Sequence, residues 1–146
     1  MTKSPNRRRR TPTNHPTIRK LEEQAREGRK KLVAEGHLVS KSELAARLGV
    51  EPSELDEAVG EERLFFLEVG SPASVEPYFP AFYAHPALHR SDLERVCKAM
   101  ADLKGGSKWQ FFVNPRGSLS GLSPLEALQE GRVEEVERAA LAFAET

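Results

Sequence analysis

The segment from Trp109 to Ala140 constrains the fold more than any other part of the chain, because helix signals and turn signals alternate through it. An aromatic run leads into the turn-rich link Asn114-Pro115-Arg116-Gly117. Ser123-Pro124-Leu125-Glu126 is a capping box with proline at the first helical position, so it predicts a short helix that ends near Gly131. A last helix is expected over about residues 133–144, where apolar residues recur at helical spacing.

The composition limits the class of protein. With 146 residues, 38% hydrophobic and 30% charged, the chain holds one domain or two small units that share a core. No apolar run approaches the roughly 20 residues of a membrane span. No apolar stretch follows the N-terminal arginines, so a secretory signal is not expected. Cys97 is alone, which excludes an internal disulfide and a multi-cysteine metal site. A cytoplasmic location is expected.

The charge is distributed unevenly along the chain. Residues 1–41 carry 12 Lys and Arg against 4 Glu, a net charge of +8, whereas residues 42–146 carry 10 against 18 acidic residues, a net charge of −8. Residues 1–16, which include Arg7-Arg8-Arg9-Arg10, are expected to form a disordered basic arm. Such an arm can contact nucleic acid phosphates or can be only a solvated tail, and the sequence leaves both interpretations open.

A helix-turn-helix unit is predicted behind the arm. A first helix is expected over residues 17–35 and ends at Gly36. Ser40-Lys41-Ser42-Glu43 is a capping box that opens the next helix, Gly49 permits a tight turn, and a further helix follows. The candidate DNA-binding residues are the cations of this basic end: Arg7, Arg8, Arg9, Arg10, Arg19, Lys20, Lys30, Lys31 and Lys41.

The second helix of this unit is acidic. It carries Glu51, Glu54, Asp56 and Glu57, and no Lys or Arg occurs between Arg47 and Arg63. A helix in the major groove normally brings cations and hydrogen-bond donors to DNA. DNA contact would therefore depend on the basic arm and the first helix, while a helix pair used only for packing or dimerisation is the alternative.

A β-hairpin is predicted after the helix pair. Residues 63–69 and 76–83 are rich in strand formers and flank a turn, although prolines in the second strand are expected to confine it to a sheet edge. Its aromatic residues are expected in the core. Ser91-Asp92-Leu93-Glu94 is a further capping box, predicted to start a helix that carries Cys97 inward and stops at Gly105-Gly106.

No constellation of residues indicates chemistry. His85 and His89 are four residues apart but flank a proline, and a zinc site would need further ligands. Neither a phosphate loop nor a Ser/His/Asp or Cys/His signature is recognisable. We therefore expect no catalytic residue, no metal site, no cofactor and no enzymatic activity.

The order of the C-terminal signals resembles that of the toxin-binding domain of the Xre/MbcA/ParS antitoxin family. The positions that carry the resemblance are Trp109, Phe111, Phe112, Asn114, Leu119, Gly121, Pro124, Leu125, Leu128, Gly131, Val136 and Ala140. The resemblance implies a homodimeric antitoxin that binds its operator DNA through the N-terminal region. It also implies that the C-terminal region covers the active site of a RES-domain toxin, an enzyme that consumes NAD.

On this chain, the resemblance places toxin contacts on the link and the last helix, at Arg116, Arg132, Glu135, Arg138 and Thr146. An ordinary charged helix surface is the other interpretation of these residues. The predicted architecture is mostly α, with a disordered arm at residues 1–16, a helix-turn-helix-like unit with a hairpin at 17–84, and a small helical domain at 85–146. A transcriptional regulator without a toxin and a protein-interaction adaptor that does not bind DNA remain alternative functions.

Overall fold

The computed structural model describes residues 26–146, which form mostly α-helix with a small three-stranded antiparallel sheet. The predicted fold class is thereby confirmed. The predicted arm and the first part of the predicted helix over residues 17–35 lie outside the described residues. The elements in chain order are α1 (residues 26–34), β1 (Leu38–Val39), α2 (Lys41–Leu48), α3 (Pro52–Gly60), β2 (Leu67–Ser71), β3 (Ser74–Pro80), a 3-10 turn (Ala81–Ala84), α4 (Arg90–Ala99), α5 (Gly105–Val113), a second 3-10 turn (Gly117–Leu119), α6 (Pro124–Gln129) and α7 (Val133–Ala144).

Helices α2 and α3 form the predicted helix-turn-helix pair. Only the first half of the capping box predicted at Ser40–Glu43 forms, in which the Ser40 hydroxyl accepts a hydrogen bond from the Glu43 backbone N–H at 3.2 Å. The second half of the prediction was wrong, because the Glu43 side chain pairs elsewhere. The Glu43 carboxylate accepts a hydrogen bond from Arg47 Nε at 2.8 Å. Gly49 adopts the left-handed conformation, with φ of 71°, so the turn there has the form that glycine tolerates best. Leu44 and Leu55 are fully buried, one on each helix.

The sheet has the order β1-β3-β2, so β3 lies in the middle. Strands β2 and β3 form the predicted hairpin, with Leu67 opposite Tyr78. The prediction that proline would confine the second strand to an edge was wrong at its end, where Leu38 of β1 pairs with Pro80. Strand β1 has only two residues and pairs only with the last two residues of β3. Strand β3 therefore makes few hydrogen bonds with β1. Pro77 lies outside the pairing of β3 with β1.

The predicted capping box at Ser91–Glu94 was wrong. Helix α4 begins at Arg90, so its N-cap residue is His89, two residues before the predicted cap Ser91, and His89 makes no side-chain capping bond. The Glu94 carboxylate instead accepts hydrogen bonds from Arg63 at 2.8 Å and Arg90 at 2.9 Å. It therefore connects the start of α4 to the segment that leads into β2.

The expected helix stop at Gly105-Gly106 was also wrong, because α4 ends at Ala99 and the two glycines open α5. Gly105 does not end a helix, and glycine is required there because the backbone packs closely against Phe66. A Cβ atom at this position would lie 2.0 Å from the backbone oxygen of Phe66, too close for any side chain. Glycine is needed there so that α5 can approach the segment before β2.

One hydrophobic core runs through both predicted units and includes residues from the helix pair, the sheet and the C-terminal helices. The hairpin residues Phe79 and Tyr83 are buried in this core, as predicted. An aromatic cluster also joins the two units. Phe82 contacts both Trp109 and Phe112, with ring centroids 5.7 Å and 5.1 Å apart, and Phe65 stacks on Phe112 at 5.9 Å. Cys97 is fully buried on the inner face of α4, also as predicted.

Helices α6 and α7 match the sequence prediction closely. Both halves of the capping box form, because the Glu126 N–H donates to the Ser123 hydroxyl at 3.1 Å and the Ser123 N–H donates to the Glu126 carboxylate at 2.8 Å. Gly131 has a φ of 81° and separates α6 from α7. Helix α7 packs on α4 and buries Val136 completely.

Candidate binding cavity of the C-terminal region

A cavity of about 590 Å³ lies between the link that follows α5 and one face of α7. Four of the five predicted toxin-binding residues line it. Its lining consists of Pro115, Arg116, Gly117, Ser118, Glu135, Arg138, Ala139, Ala142, Phe143 and Thr146. Residues that are up to 31 positions apart in sequence are thus brought together around one concave surface, which has the size of a typical ligand pocket.

The backbone of Arg116 is held in place by the turn that follows it. Its N–H donates to the carbonyl of Leu122 at 3.0 Å, and its carbonyl accepts from Leu119 at 3.0 Å and from Gly121 at 2.9 Å. Gly121 has a φ of 83°, and Leu119 is fully buried. The second 3-10 turn and the residues directly after it therefore fix the position from which the Arg116 side chain extends.

The guanidinium of Arg116 packs against two aromatic rings that also contact each other, with their centroids 5.3 Å apart. Its central carbon is 4.6 Å from the ring centre of Phe111 and 4.5 Å from that of Phe143, distances at which cation–π attraction operates. The Nε atom is buried and has no hydrogen-bond acceptor among the described residues. Burial lowers the pKa of this guanidinium, since the charged form is partly removed from water.

Glu135 is paired with Arg132, the one predicted toxin-binding residue that does not line the cavity. Arg132 Nη2 donates to one carboxylate oxygen at 2.8 Å and Nε to the other at 3.1 Å. This bidentate contact holds the pKa of Glu135 below its ordinary value, with a smaller contribution from Arg138. The negative charge of Glu135 at the cavity is therefore already compensated by Arg132.

The two remaining residues lie at the rim. Arg138 is exposed, and within residues 26–146 no carboxylate forms an ion pair with it or with Arg116. The Thr146 hydroxyl donates to the backbone carbonyl of Phe143 at 2.7 Å. The cavity thus combines two arginines without carboxylate partners with one carboxylate that is already paired.

The predicted DNA-binding residues are only partly described. Arg7, Arg8, Arg9, Arg10, Arg19 and Lys20 lie outside the described residues. The other three each lie near an acidic side chain: Lys41 Nζ is 2.8 Å from Asp56, Lys30 is 3.7 Å from Glu27, and Lys31 is 4.0 Å from Glu35. The pair between Lys41 and Asp56 connects the start of α2 to the acidic face of α3.

Sequence reasoning missed a second cavity, of about 670 Å³, between the helix-turn-helix unit and the C-terminal helices. Its lining is mainly apolar and includes Phe82, Trp109 and Leu125, with His37 and His85 among the polar residues. These residues come from five separated segments, so no local pattern in the sequence indicates the cavity.

The buried Lys108 was also missed. It is only 4% exposed, and its Nζ atom lies 3.3 Å from the carboxylate of Glu62. Glu62 itself has a φ of 65°, which is uncommon for a residue other than glycine. No signal in the sequence distinguishes Lys108 from a lysine at the surface of a helix.

The chain matches no family model, no curated protein and no solved structure. The resemblance to the Xre/MbcA/ParS antitoxins therefore rests on the sequence pattern alone and stays a prediction. In the part of the chain from residue 26 onwards, no helix has both the length and the apolar character that crossing a bilayer requires.

Proposed function

We propose that this protein is an antitoxin-like regulator that binds and neutralises a partner toxin of the RES-domain, NAD-consuming type through its C-terminal region. The observation that carries the proposal is the cavity beside α7. Arg116, Glu135, Arg138 and Thr146 were selected from the sequence as partner contacts, and all four line this one concave surface. The proposal includes a homodimer and a cytoplasmic location.

The chemistry of the cavity supports recognition of a partner. Arg116 and Arg138 lack carboxylate partners among the described residues, while the floor contributes apolar contact through Ala139 and Phe143. Arginine and aromatic residues are enriched at the centres of protein interfaces, where a few such side chains supply most of the binding energy.

Affinity purification from the native host, with nuclease added to remove nucleic-acid bridges, tests this function. A NAD-consuming enzyme in stoichiometric amount is the expected result, followed by preserved NAD levels in cells that express the partner together with this protein. Recovery of the tagged protein without any protein partner would overturn the proposal.

A matched pair of variants locates the contact. Arg138→Glu reverses a charge at the cavity rim, whereas Arg47→Glu reverses an exposed charge on the helix-turn-helix unit. Both side chains are at the surface, so neither change should disturb the core. We expect Arg138→Glu to weaken partner binding at least about tenfold, which corresponds to about 1.4 kcal/mol, and Arg47→Glu to leave it unchanged.

A protein-interaction adaptor that does not bind DNA is the second candidate. It is favoured by the helix-turn-helix unit, where Glu54 and Glu57 on α3 and its N-cap residue Glu51 are exposed. Lys41 is paired with Asp56. Mobility shifts of the promoter region across a salt series separate the candidates. Operator binding by a regulator should weaken steeply with salt and disappear when residues 1–16 are removed, whereas an adaptor gives no shift.

A further inference from the structure

Arg116 is a positioned cation without an anion. Its guanidinium packs against the rings of Phe111 and Phe143, its Nε atom is buried without an acceptor, and no carboxylate of the described residues pairs with it. Partial burial of an unpaired charge costs free energy, which an opposite charge can offset. Ionisable groups that are perturbed by burial cluster at functional sites.

Contact with the two rings restricts the position of the guanidinium. A planar, rigid fork of donors matches the geometry of a carboxylate, and its preorganisation reduces the entropy lost on binding. The side chain lines the wall of the cavity, packed against the rings of its own protein. This geometry suits a residue that receives an anion within the cavity.

The charges around the cavity indicate which anion fits. Arg116 and Arg138 contribute two positive charges and Glu135 one negative charge, so the lining side chains carry a net charge of +1. Arg132 holds the Glu135 carboxylate from outside the cavity, so Glu135 does not have to neutralise Arg116. The net charge matches a monoanion, and the apolar floor formed with Ala142 matches a short aliphatic stem.

We propose that the cavity binds the carboxylate of an aspartate or glutamate side chain of the partner protein, with Arg116 as the anchor and Arg138 as the second cation. The inference rests on the proposed function for the identity of the partner, but the anion site itself can be tested on the free protein.

The test is a titration of the full chain with N-acetyl-aspartate amide and, separately, with inorganic phosphate, at ionic strength held constant with chloride. Nuclear magnetic resonance follows the Arg116 Nε–H group and the backbone amides of Gly117 and Ala142. We expect saturable shifts with the carboxylate, at least about tenfold weaker binding by Arg116→Met, and no change in Arg47→Ala. The methionine side chain can still pack against the two rings without the charge.

Arg116→Lys is the second variant, because it keeps the charge without the planar fork and serves if Arg116→Met does not fold. It should also weaken carboxylate binding. Shifts that chloride reproduces at equal ionic strength would overturn the proposal. Tighter binding of phosphate than of the carboxylate would overturn it as well, in favour of a free phosphate compound as the ligand.

The co-purification experiment separates this proposal from the proposed function. A partner that is retained equally by Arg116→Met and by the unaltered chain would overturn the carboxylate anchor and leave the proposed function standing. If no partner binds the unaltered chain, the proposed function fails, and with it the assignment of the carboxylate to a partner, whereas the titration still decides whether the cavity binds an anion.

Discussion

Arg132 and Glu135 form a bidentate pair at the start of α7, with two nitrogen-to-oxygen distances of 2.8 Å and 3.1 Å. The pair lies at the edge of the cavity that Arg116 lines, and it determines how much negative charge that cavity presents. Because Arg132 is the N-cap residue of α7 and Glu135 lies in the first turn, the carboxylate also faces the positive end of the helix dipole.

Replacement of Arg132 by Gln should raise the pKa of Glu135 toward its ordinary value, since the hydrogen bonds from Arg132 are the main cause of its depression. A carboxyl group with a depressed pKa in the folded state stabilises the fold above the pKa of the unfolded state. That contribution is lost as the pH falls through the folded-state pKa. The side-chain carboxyl resonance of Glu135, followed through an acid titration, measures the shift, and an unchanged midpoint in Arg132→Gln would contradict the assignment.

Removal of the capping serine of α6 should destabilise the fold. Ser123→Ala deletes the acceptor for the Glu126 N–H and is expected to cost about 1 kcal/mol in the free energy of unfolding. Ser91→Ala is the matched control, because that serine lies inside α4 and caps nothing. Urea unfolding of both variants gives the comparison, and an equal loss of stability in the two would show that the cap at Ser123 contributes nothing specific.

These two serines show how far the sequence predicts the fold. The same local pattern occurs at Ser91–Glu94 and Ser123–Glu126, but only the second forms a capping box. At the first, the Glu94 carboxylate accepts a hydrogen bond from Arg63, 31 residues away, and another from Arg90, which is the first residue of α4. Local patterns therefore predicted α6 and α7 well, whereas the start of α4 depended on an ion pair with a distant residue that no local pattern contains.

Gly105 should tolerate no side chain. A Cβ atom there would meet the backbone oxygen of Phe66, so Gly105→Ala must displace α5 and should cost about 1–3 kcal/mol, the usual range for overpacking. At Gly106 the nearest atom to an added Cβ is 3.1 Å away, at the end of the flexible Arg29 side chain. Gly106→Ala is thus the control and should be near neutral, and thermal unfolding of both variants distinguishes them. Equal stability would mean that α5 does not need this close approach.

The candidate site could be predicted only in part. The sequence pattern selected Arg116, Glu135 and Arg138 as partner contacts, and the fold places them around one cavity. It did not predict that Phe111 and Phe143 would both contact the guanidinium of Arg116, because this contact depends on the packing of α7 against the link. The second cavity and the buried Lys108 arise in the same way, from contacts between segments that are distant in sequence.

The pair between Lys108 and Glu62 gives the last prediction. Glu62→Gln leaves the ammonium of Lys108 buried without its carboxylate and should destabilise the fold by about 1–3 kcal/mol. This is below the usual cost of breaking a fully buried pair, because the Glu62 side chain is 44% exposed. Adding Lys108→Met removes the stranded charge while keeping an unbranched side chain, so the double variant should recover most of the loss. A double-mutant cycle from urea unfolding measures the coupling between the two residues, and independent, additive effects would show that the ion pair does not stabilise the fold.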